Sequence, residues 1–139
     1  MGALTRNPII VALDVETGDQ ALQLIDQIGD SVDFYKIGME LYAAEGTEIV
    51  KQVLGRRKRV FLDLKFHDIP ETVKRAVNRA ADLGVHLLTV HAYPQVMAAA
   101  MAGKANASVQ ILGVTVLTSL GESDLRDLGY PEGTTVGDL

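Results

Sequence analysis

Residues 59–70 read RVFLDLKFHDIP, and the order of side chains in this stretch decides the fold of the chain around it. Arg59 to Leu64 is a mostly apolar run with the length and composition of a buried β-strand. Pro70 stands at a position where the first residue of a helix is often proline. Charged residues occupy the junction between the two. The stretch therefore predicts a strand, a polar turn at its carboxyl end, and then a helix.

The same alternation of short apolar runs and helical patterns occurs along the whole sequence. We predict strands over residues 9–13, 33–38, 59–64, 87–91 and 109–117. We predict helices over residues 17–29, 39–54 (with a break near Gly46), 70–84, 94–103 and 122–128, and the start of another over 134–139. Continuous apolar strands that alternate with helices are typical of a parallel sheet covered by helices.

Two α/β architectures fit this order, a doubly wound sheet and a (β/α)8 TIM barrel. The first strand is not followed by a Gly-x-Gly-x-x-Gly segment, which disfavours a dinucleotide-binding sheet. Polar residues close the five strands at one end, which favours a barrel; they are Asp14, Lys36, Asp63 with Lys65, His91 and Thr118. A barrel of this kind takes about 250 residues. We therefore expect residues 1–139 to be a single domain, a TIM barrel truncated to its first five βα units.

Composition limits the class of function. The 139 residues are 47% hydrophobic and 22% charged, which is ordinary for a globular protein, and the longest apolar runs are strand-sized rather than membrane-spanning. The net charge of −5 disfavours a nucleic-acid partner. The absence of cysteine excludes disulfides and thiolate metal sites, and the three histidines lack metal-ligand spacing. We expect a cytoplasmic protein without a metal site.

Four charged residues are predicted to meet at the carboxyl end of the sheet. Side chains alternate along a strand, so Asp63 and Lys65 should point to the same side, into the mouth of a barrel. Lys36, at the end of the preceding strand, and Asp68, on the following turn, should reach the same place. A structural ion-pair network is the alternative, but buried ion pairs add little stability over apolar packing. The pattern therefore favours a functional site.

Other polar residues have plainer explanations. Asp14 taken alone is equally consistent with a cap for the following turn. His91 is better explained as a packed or hydrogen-bonded histidine than as a catalyst, and Thr118 as a turn residue. The run Arg56–Arg59 is predicted to be a solvated face at the opposite end of the sheet from the site.

At this point the sequence resembles a known family. The segment DLKFHDIP, residues 63–70, resembles the Asp-x-Lys-x-x-Asp signature of the orotidine 5′-phosphate decarboxylases, including its His-Asp-Ile-Pro extension. Three further segments resemble the first, second and fifth strand ends of that family: Val11–Asp14, Phe34–Gly38 and Val116–Ser119. The resemblance covers essentially all of this chain and the N-terminal part of a family member.

Related sugar-phosphate decarboxylases and aldolases are the alternative within the same superfamily. They resemble Asp-x-Lys-x-x-Asp-Ala-Gly, use Mg²⁺, and tend to have an acidic residue near the end of the second strand. Here the motif continues with Ile69 and Pro70, and the second strand ends with Lys36. These features favour the orotidine enzyme.

The resemblance implies a carboxy-lyase that converts orotidine 5′-monophosphate to UMP in pyrimidine biosynthesis, without a cofactor. It implies that Lys65 is the general acid that protonates C6 and that Asp63 lies beside the departing carboxylate, while Lys36 and Asp68 position the others. The residues that it assigns to substrate binding are Asp14, Lys36, Asp63, Asp68, Ile69, Thr72 and Thr118. Asp14 and Lys36 would hold the ribose hydroxyls, and Thr118 the pyrimidine edge.

The resemblance also implies a homodimer with shared sites, in which Asp68, Ile69 and Thr72 reach the neighbouring subunit. In the family, an arginine in the loops after the last strands holds the phosphate, and we expect that region to lie outside these residues. A second hypothesis, from another class, is that the 139-residue chain is a non-catalytic fragment or an assembly subunit.

Overall fold

The computed structural model describes residues 9–139. The strands are β1 (Val11–Ala12), β2 (Phe34–Gly38), β3 (Arg59–Phe66), β4 (Leu87–His91) and β5 (Gln110–Val114). The α-helices are α1 (Gly18–Ile28), α2 (Met39–Glu45), α3 (Thr47–Gly55), α4 (Pro70–Leu83), α5 (Pro94–Lys104) and α6 (Glu122–Asp127). Two 3-10 turns cover Gly29–Ser31 and Val136–Asp138. The five predicted strands and the five predicted helices up to residue 128 are present with shifted ends, the second of these helices being divided into α2 and α3 at the predicted break.

The five strands form one parallel sheet in the order β1-β2-β3-β4-β5. A doubly wound sheet reverses its strand order at a switch point, whereas a barrel adds each strand beside the previous one. Right-handed crossovers between consecutive parallel strands then place the helices on one face of the sheet. The predicted α/β fold, a partial (β/α) barrel of five units, is confirmed.

Local signals in the sequence explain several boundaries. The Thr17 side chain accepts a hydrogen bond from the Gln20 backbone N–H, and the Gln20 side chain accepts one from the Thr17 backbone N–H, so a capping box starts α1 close to the predicted residue 17. Pro70 opens α4 as predicted. Gly46, with φ of 63°, ends α2 and separates it from α3.

Three strand ends differ from the prediction because ladder pairing, not hydropathy, determines them. β1 pairs with β2 at only two positions, although Leu13 N–H still donates to the Lys36 carbonyl over 2.9 Å. β5 ends at Val114, opposite the end of β4, so the predicted continuation to residue 117 is wrong. β3 instead runs on to Phe66. Only the 3-10 turn forms in the 134–139 segment.

The core lies between the sheet and the helices that cover it. Its largest fully buried side chains include Leu13, Ile25, Tyr35, Ile37, Leu41, Ile49, Leu62 and Leu88. The helices α4 and α5 pack against each other so closely that a Cβ on Gly103 would overlap the Lys74 carbonyl. A glycine is therefore needed at that position for the two helices to pack.

Charged residues also hold the amino end of the sheet, which we call the N-terminal rim (Asp33, Lys58 and Arg59). Lys58 Nζ donates to the carbonyls of Gly29 (2.6 Å) and Val32 (3.0 Å). The Arg59 guanidinium donates twice to the Asp33 carboxylate, over 3.2 and 3.3 Å. Only 11% of the Lys58 side chain and 19% of the Arg59 side chain are exposed, so the predicted solvated face is wrong for these two residues.

Candidate active site

Asp63, on β3, is the centre of a charged cluster at the carboxyl end of the sheet. Its Oδ1 accepts a hydrogen bond from Lys65 Nζ over 2.9 Å, and its Oδ2 lies 3.8 Å from Lys36 Nζ. Only 15% of the Asp63 side chain is exposed, against 24% for Lys36 and 29% for Lys65. One part-buried carboxylate, that of Asp63, thus faces two ammonium groups. We call this cluster the C-terminal rim; its members are Asp14, Lys36, Asp63, Lys65 and Thr89.

The fourth charge of the cluster comes from β1 rather than from the turn after β3. Asp14 Oδ1 lies 3.4 Å from Lys36 Nζ, and its side chain is 71% exposed. Asp14 lies two residues beyond the end of β1, and the β1–β2 pairing, continued by the Leu13 N–H bond to the Lys36 carbonyl, brings it beside Lys36. Thr17 caps α1 instead. The structure therefore favours the ion-pair interpretation of Asp14 over the turn-cap interpretation.

The backbone of β3 is irregular between Asp63 and Lys65. Leu62 pairs with Leu88 and Phe66 with Val90, so the three residues between Leu62 and Phe66 lie opposite a single residue of β4. Lys65 has φ of 49°, the left-handed region that non-glycine residues rarely adopt within a strand. Asp63 and Lys65 do meet, as predicted, but regular strand alternation is not what brings them together.

The electrostatics of the cluster keep Asp63 ionised. Burial alone would raise the pKa of the Asp63 carboxyl group. Hydrogen bonds from Lys65 and Thr89, together with the positive charges of Lys65 and Lys36, outweigh that effect and lower the pKa below its ordinary value. The site is therefore a fixed anion between two cations.

The residues predicted to serve a neighbouring subunit lie outside this cluster. Asp68 is exposed on the turn after β3, where its Oδ1 accepts a hydrogen bond from the Ile69 backbone N–H. Ile69 is 67% exposed, and Thr72 is exposed in the first turn of α4. Within residues 9–139 Asp68 forms no ion pair with Lys36 or Lys65, so the predicted four-charge set does not assemble inside one chain.

Thr118 lies four residues beyond the end of β5, in an exposed turn. The prediction placed it on the carboxyl end of a longer strand. In the described part of the chain it makes no hydrogen bond to the Asp63 cluster. The structure therefore does not bring Thr118 together with the other predicted site residues.

An aromatic group next to the cluster was not predicted as a unit. The His67 ring stacks on Tyr93, with centroids 4.6 Å apart, and lies 5.2 Å from the His91 ring. Burial lowers the pKa of His91, and electrostatic repulsion from His67 and Lys65 lowers it further. The packing agrees with the interpretation of His91 as a packed histidine. No sequence pattern indicated that His67 and Tyr93 would meet.

Thr89 also belongs to this site, although it was not among the predicted site residues. Its hydroxyl donates to Asp63 Oδ1 over 2.8 Å and accepts a hydrogen bond from the Lys65 backbone N–H over 3.0 Å. A single hydroxyl within the apolar run of β4 was the available signal, because a buried polar group requires a partner.

The cluster lines a small open cavity of about 190 Å³, whose walls include Asp14, Lys36, Asp63 and Lys65. A larger cavity of about 530 Å³, bordered by Tyr42, Leu62, Phe66, Arg79 and Leu83, contains none of these charged groups. We assign the site to the smaller one, because its charged side chains form ion pairs with one another, whereas Arg79 and Asp82 in the larger cavity form none together.

Residues 9–139 contain no group of three histidine, aspartate or glutamate side chains arranged to hold a metal ion. No helix in this part of the chain could cross a membrane.

The parallel βα units are part of a (β/α) barrel, and the lysine–aspartate–lysine cluster lies at the carboxyl end of the strands, where the active sites of such barrels lie. The family assignment follows from comparison with known sequences. The model of the orotidine 5′-phosphate decarboxylase / HUMPS family matches residues 7–136, and the chain belongs to this family.

Similar proteins agree with this assignment. The chain is 51% identical over 128 residues to the orotidine 5′-phosphate decarboxylase of Rhodopseudomonas palustris (strain HaA2), covering 92% of this chain and 54% of that protein. It is 49% identical over 137 residues to that of Methylobacterium sp. (strain 4-46), covering 96% and 57%. The chain thus spans about half the length of the curated relatives that it matches.

Solved structures give the same result. The crystal structure of orotidine 5′-phosphate decarboxylase from Lactobacillus acidophilus superposes with a TM-score of 0.81 at 36% identity, over 90% of this chain and 60% of that one. An uncharacterized conserved protein from Geobacillus kaustophilus superposes with a TM-score of 0.83, also at 36% identity, over 93% and 63%.

Proposed function

We propose that residues 1–139 are part of a barrel domain that converts orotidine 5′-monophosphate to UMP and CO₂, without a metal ion or an organic cofactor. The observation that supports this most is the position of Asp63 between the ammonium groups of Lys65 (2.9 Å) and Lys36 (3.8 Å) at the carboxyl end of the sheet. The names of the curated relatives point to the same reaction.

Lys65 would perform the chemical step. Breaking the bond between C6 and the carboxylate releases CO₂ and leaves an electron pair in the plane of the pyrimidine ring, where no ring system can accept it. An ammonium group held beside C6 stabilises this charge and then donates its proton to the carbon. The Lys65 side chain, part exposed and bonded to Asp63, is available for this role.

Asp63 would act on the departing group. A carboxylate that stays ionised repels the carboxylate of the substrate, and this repulsion disappears when neutral CO₂ leaves. The lowered pKa of Asp63 supports the role, because a protonated side chain would exert no such repulsion.

The remaining assignments concern binding. Asp14 and Lys36, 3.4 Å apart, would hold the ribose hydroxyls, and Thr118 would contact the pyrimidine edge. The group Asp68, Ile69 and Thr72 would reach the site of a second subunit in a homodimer, and the exposure of all three supports this. The absence of cysteine is compatible with the cytoplasm, where we place the enzyme.

We also propose that residues 1–139 alone do not turn over substrate. In the described part of the chain, β1 and β5 are edges of an open sheet, so the site lacks walls on one side. Binding of a remote phosphate is what such enzymes use to stabilise the transition state. By family resemblance, that contact lies outside these residues.

The test is an assay of the full natural chain that contains these residues, in EDTA, for loss of orotidine 5′-monophosphate absorbance and formation of UMP. Turnover in EDTA supports the proposal, and the 139-residue chain should show none. Turnover of 3-keto-gulonate 6-phosphate or hexulose 6-phosphate that requires Mg²⁺, with none of the nucleotide, would assign the protein to the sugar-phosphate enzymes instead.

A further inference from the structure

We propose that Thr89 is a positioning residue for the reaction, whose hydroxyl holds both the backbone of Lys65 and the carboxylate of Asp63. The catalytic consequence rests on the proposed function above. The geometric part of the inference rests on contacts within the chain alone.

Thr89 lies in the middle of β4, and its position is unusual for a hydroxyl group. It is 4% exposed, and among residues 9–139 the only other buried side chain with a hydroxyl is the aromatic Tyr35, which donates to the Val32 carbonyl. Its neighbours Leu88 and Val90 are completely buried. A hydroxyl in such surroundings costs free energy unless it is hydrogen-bonded, and valine would fill the same space without that cost. The Thr89 hydroxyl therefore contributes through its hydrogen bonds and not through packing.

Both bonds of the hydroxyl go to the catalytic motif. Thr89 donates to Asp63 Oδ1 over 2.8 Å, the same oxygen that accepts the Lys65 ammonium hydrogen bond. It accepts from the Lys65 backbone N–H over 3.0 Å. One side chain thus fixes the orientation of the carboxylate and the backbone from which the lysine extends.

The bond to the Lys65 backbone compensates for the interrupted ladder. Between the pairs Leu62–Leu88 and Phe66–Val90, regular pairing with β4 is lost, and a backbone N–H in that interval needs another acceptor. The Thr89 hydroxyl is that acceptor for Lys65.

The conformation of Lys65 makes this support necessary. Two other non-glycine residues with positive φ, Arg57 and Ala105, follow helix ends, where left-handed residues are common. Lys65 instead has φ of 49° inside a strand. Such a conformation persists only when the surrounding structure holds it. Removing the hydroxyl should let Lys65 relax and shift its ammonium group away from the reacting carbon.

The test compares three variants of the full natural chain. Thr89→Val keeps the shape and removes the hydroxyl, Thr89→Ser keeps the hydroxyl, and Val90→Ala controls for loss of packing in the same strand. We expect Thr89→Val to lower kcat for orotidine 5′-monophosphate about 10- to 100-fold, the effect of one lost hydrogen bond to a charged group, with KM changed less than about threefold. Thr89→Ser should restore kcat to within about threefold. Val90→Ala should lower Tm and leave kcat unchanged.

Two measurements on the protein itself separate this inference from the proposed function. In Thr89→Val, hydrogen exchange of the Lys65 amide should accelerate at least about tenfold, and NMR titration should show a raised pKa for Asp63. Wild-type kcat and unchanged exchange in Thr89→Val would overturn the inference. So would rapid exchange of the Lys65 amide in the wild type, which decides the case if the valine variant does not fold. If the wild type does not decarboxylate the nucleotide, the proposed function fails, and exchange and titration alone decide the role of Thr89.

Discussion

At the N-terminal rim, Lys58 donates hydrogen bonds to two backbone carbonyls, whereas at the C-terminal rim Lys65 donates one, to a carboxylate that it shares with Lys36. Both rims combine basic side chains with aspartate. At the amino end, each cation has its own acceptors, and Arg59 also lies over the Phe34 ring at 4.2 Å. This arrangement holds strands and turns together.

The C-terminal rim contains features that do not favour stability. Two lysines share Asp63, a buried hydroxyl is required, and Lys65 has an unfavourable backbone conformation. Strain and desolvated charge of this kind tend to occur at functional sites. Residue type therefore does not distinguish an ion pair that holds strands together from one that lines the candidate site. What distinguishes the two rims is whether the hydrogen-bond donors of the cation are already occupied by acceptors in the chain, as those of Lys58 are.

The largest difference should appear when one aspartate is neutralised at each rim. Asp63→Asn should lower kcat about 10²- to 10³-fold, because the fixed negative charge in the site is lost. Asp33→Asn should leave kcat within about twofold and lower Tm by about 2–4 °C, the effect of about 1 kcal/mol in a domain of this size class. Steady-state kinetics and calorimetry on the full natural chain measure both. Equal losses of kcat in the two variants would remove the functional distinction between the rims.

A second test asks whether the C-terminal rim extends across a dimer. Lys65→Ala and Asp68→Ala should each be impaired as homodimers. In a heterodimer of the two variants, one site should contain both substitutions and the other site neither. Each heterodimer should then have about half of the wild-type activity, and about a quarter of all sites should be intact in a statistical mixture. Subunit exchange followed by mass spectrometry verifies the heterodimers. Verified heterodimers with no more activity than the parents would show that Asp68 acts within its own chain.

Acidification should reduce the contribution of Asp63 to the free energy of unfolding. Its pKa is lowered on folding, so the stabilisation is present above its ordinary pKa of 3.8 and is lost as the pH falls through the folded value. The free energy of unfolding of the wild type should therefore exceed that of Asp63→Asn by a constant amount above about pH 5, and the gap should narrow below it. Urea unfolding across this range gives the difference. A gap that widens on acidification would mean that folding raises the pKa of Asp63.

The smallest effect concerns the N-terminal rim alone. Arg59→Lys should lower the free energy of unfolding by about 1 kcal/mol, because lysine cannot make the paired hydrogen bonds to Asp33 or stack its charge as well on Phe34. Turnover should be unaffected. A loss of kcat in this variant, with stability unchanged, would connect the N-terminal rim to catalysis and contradict its structural role.

How much of this was predictable depends on the range of the interactions. The start of α1 near residue 17, the proline start of α4 and the apolar strands depend on neighbouring residues, and all three were predicted. The meeting of Asp63 and Lys65 was also predicted, although from regular alternation along β3. The end of β5 and the pairing of Asp14 with Lys36 depend on register between strands, which hydropathy does not encode.

The bulge in β3 and the role of Thr89 depend on two strands at once. No property of residues 59–70 alone indicates that the three residues between Leu62 and Phe66 lie opposite a single threonine. The burial of Lys58 was missed for a similar reason, because its acceptors, the carbonyls of Gly29 and Val32, are distant in sequence.

The most direct test of the central claim, that the Lys65 ammonium protonates the reacting carbon, compares Lys65→Ala with Lys58→Ala in the full natural chain. Turnover of orotidine 5′-monophosphate and affinity for UMP are measured for both. We expect Lys65→Ala to lose at least about 10³-fold in kcat and to bind UMP within about tenfold of the wild type, while Lys58→Ala keeps its kcat and unfolds at a lower temperature. A Lys65→Ala enzyme with near wild-type kcat would contradict the account.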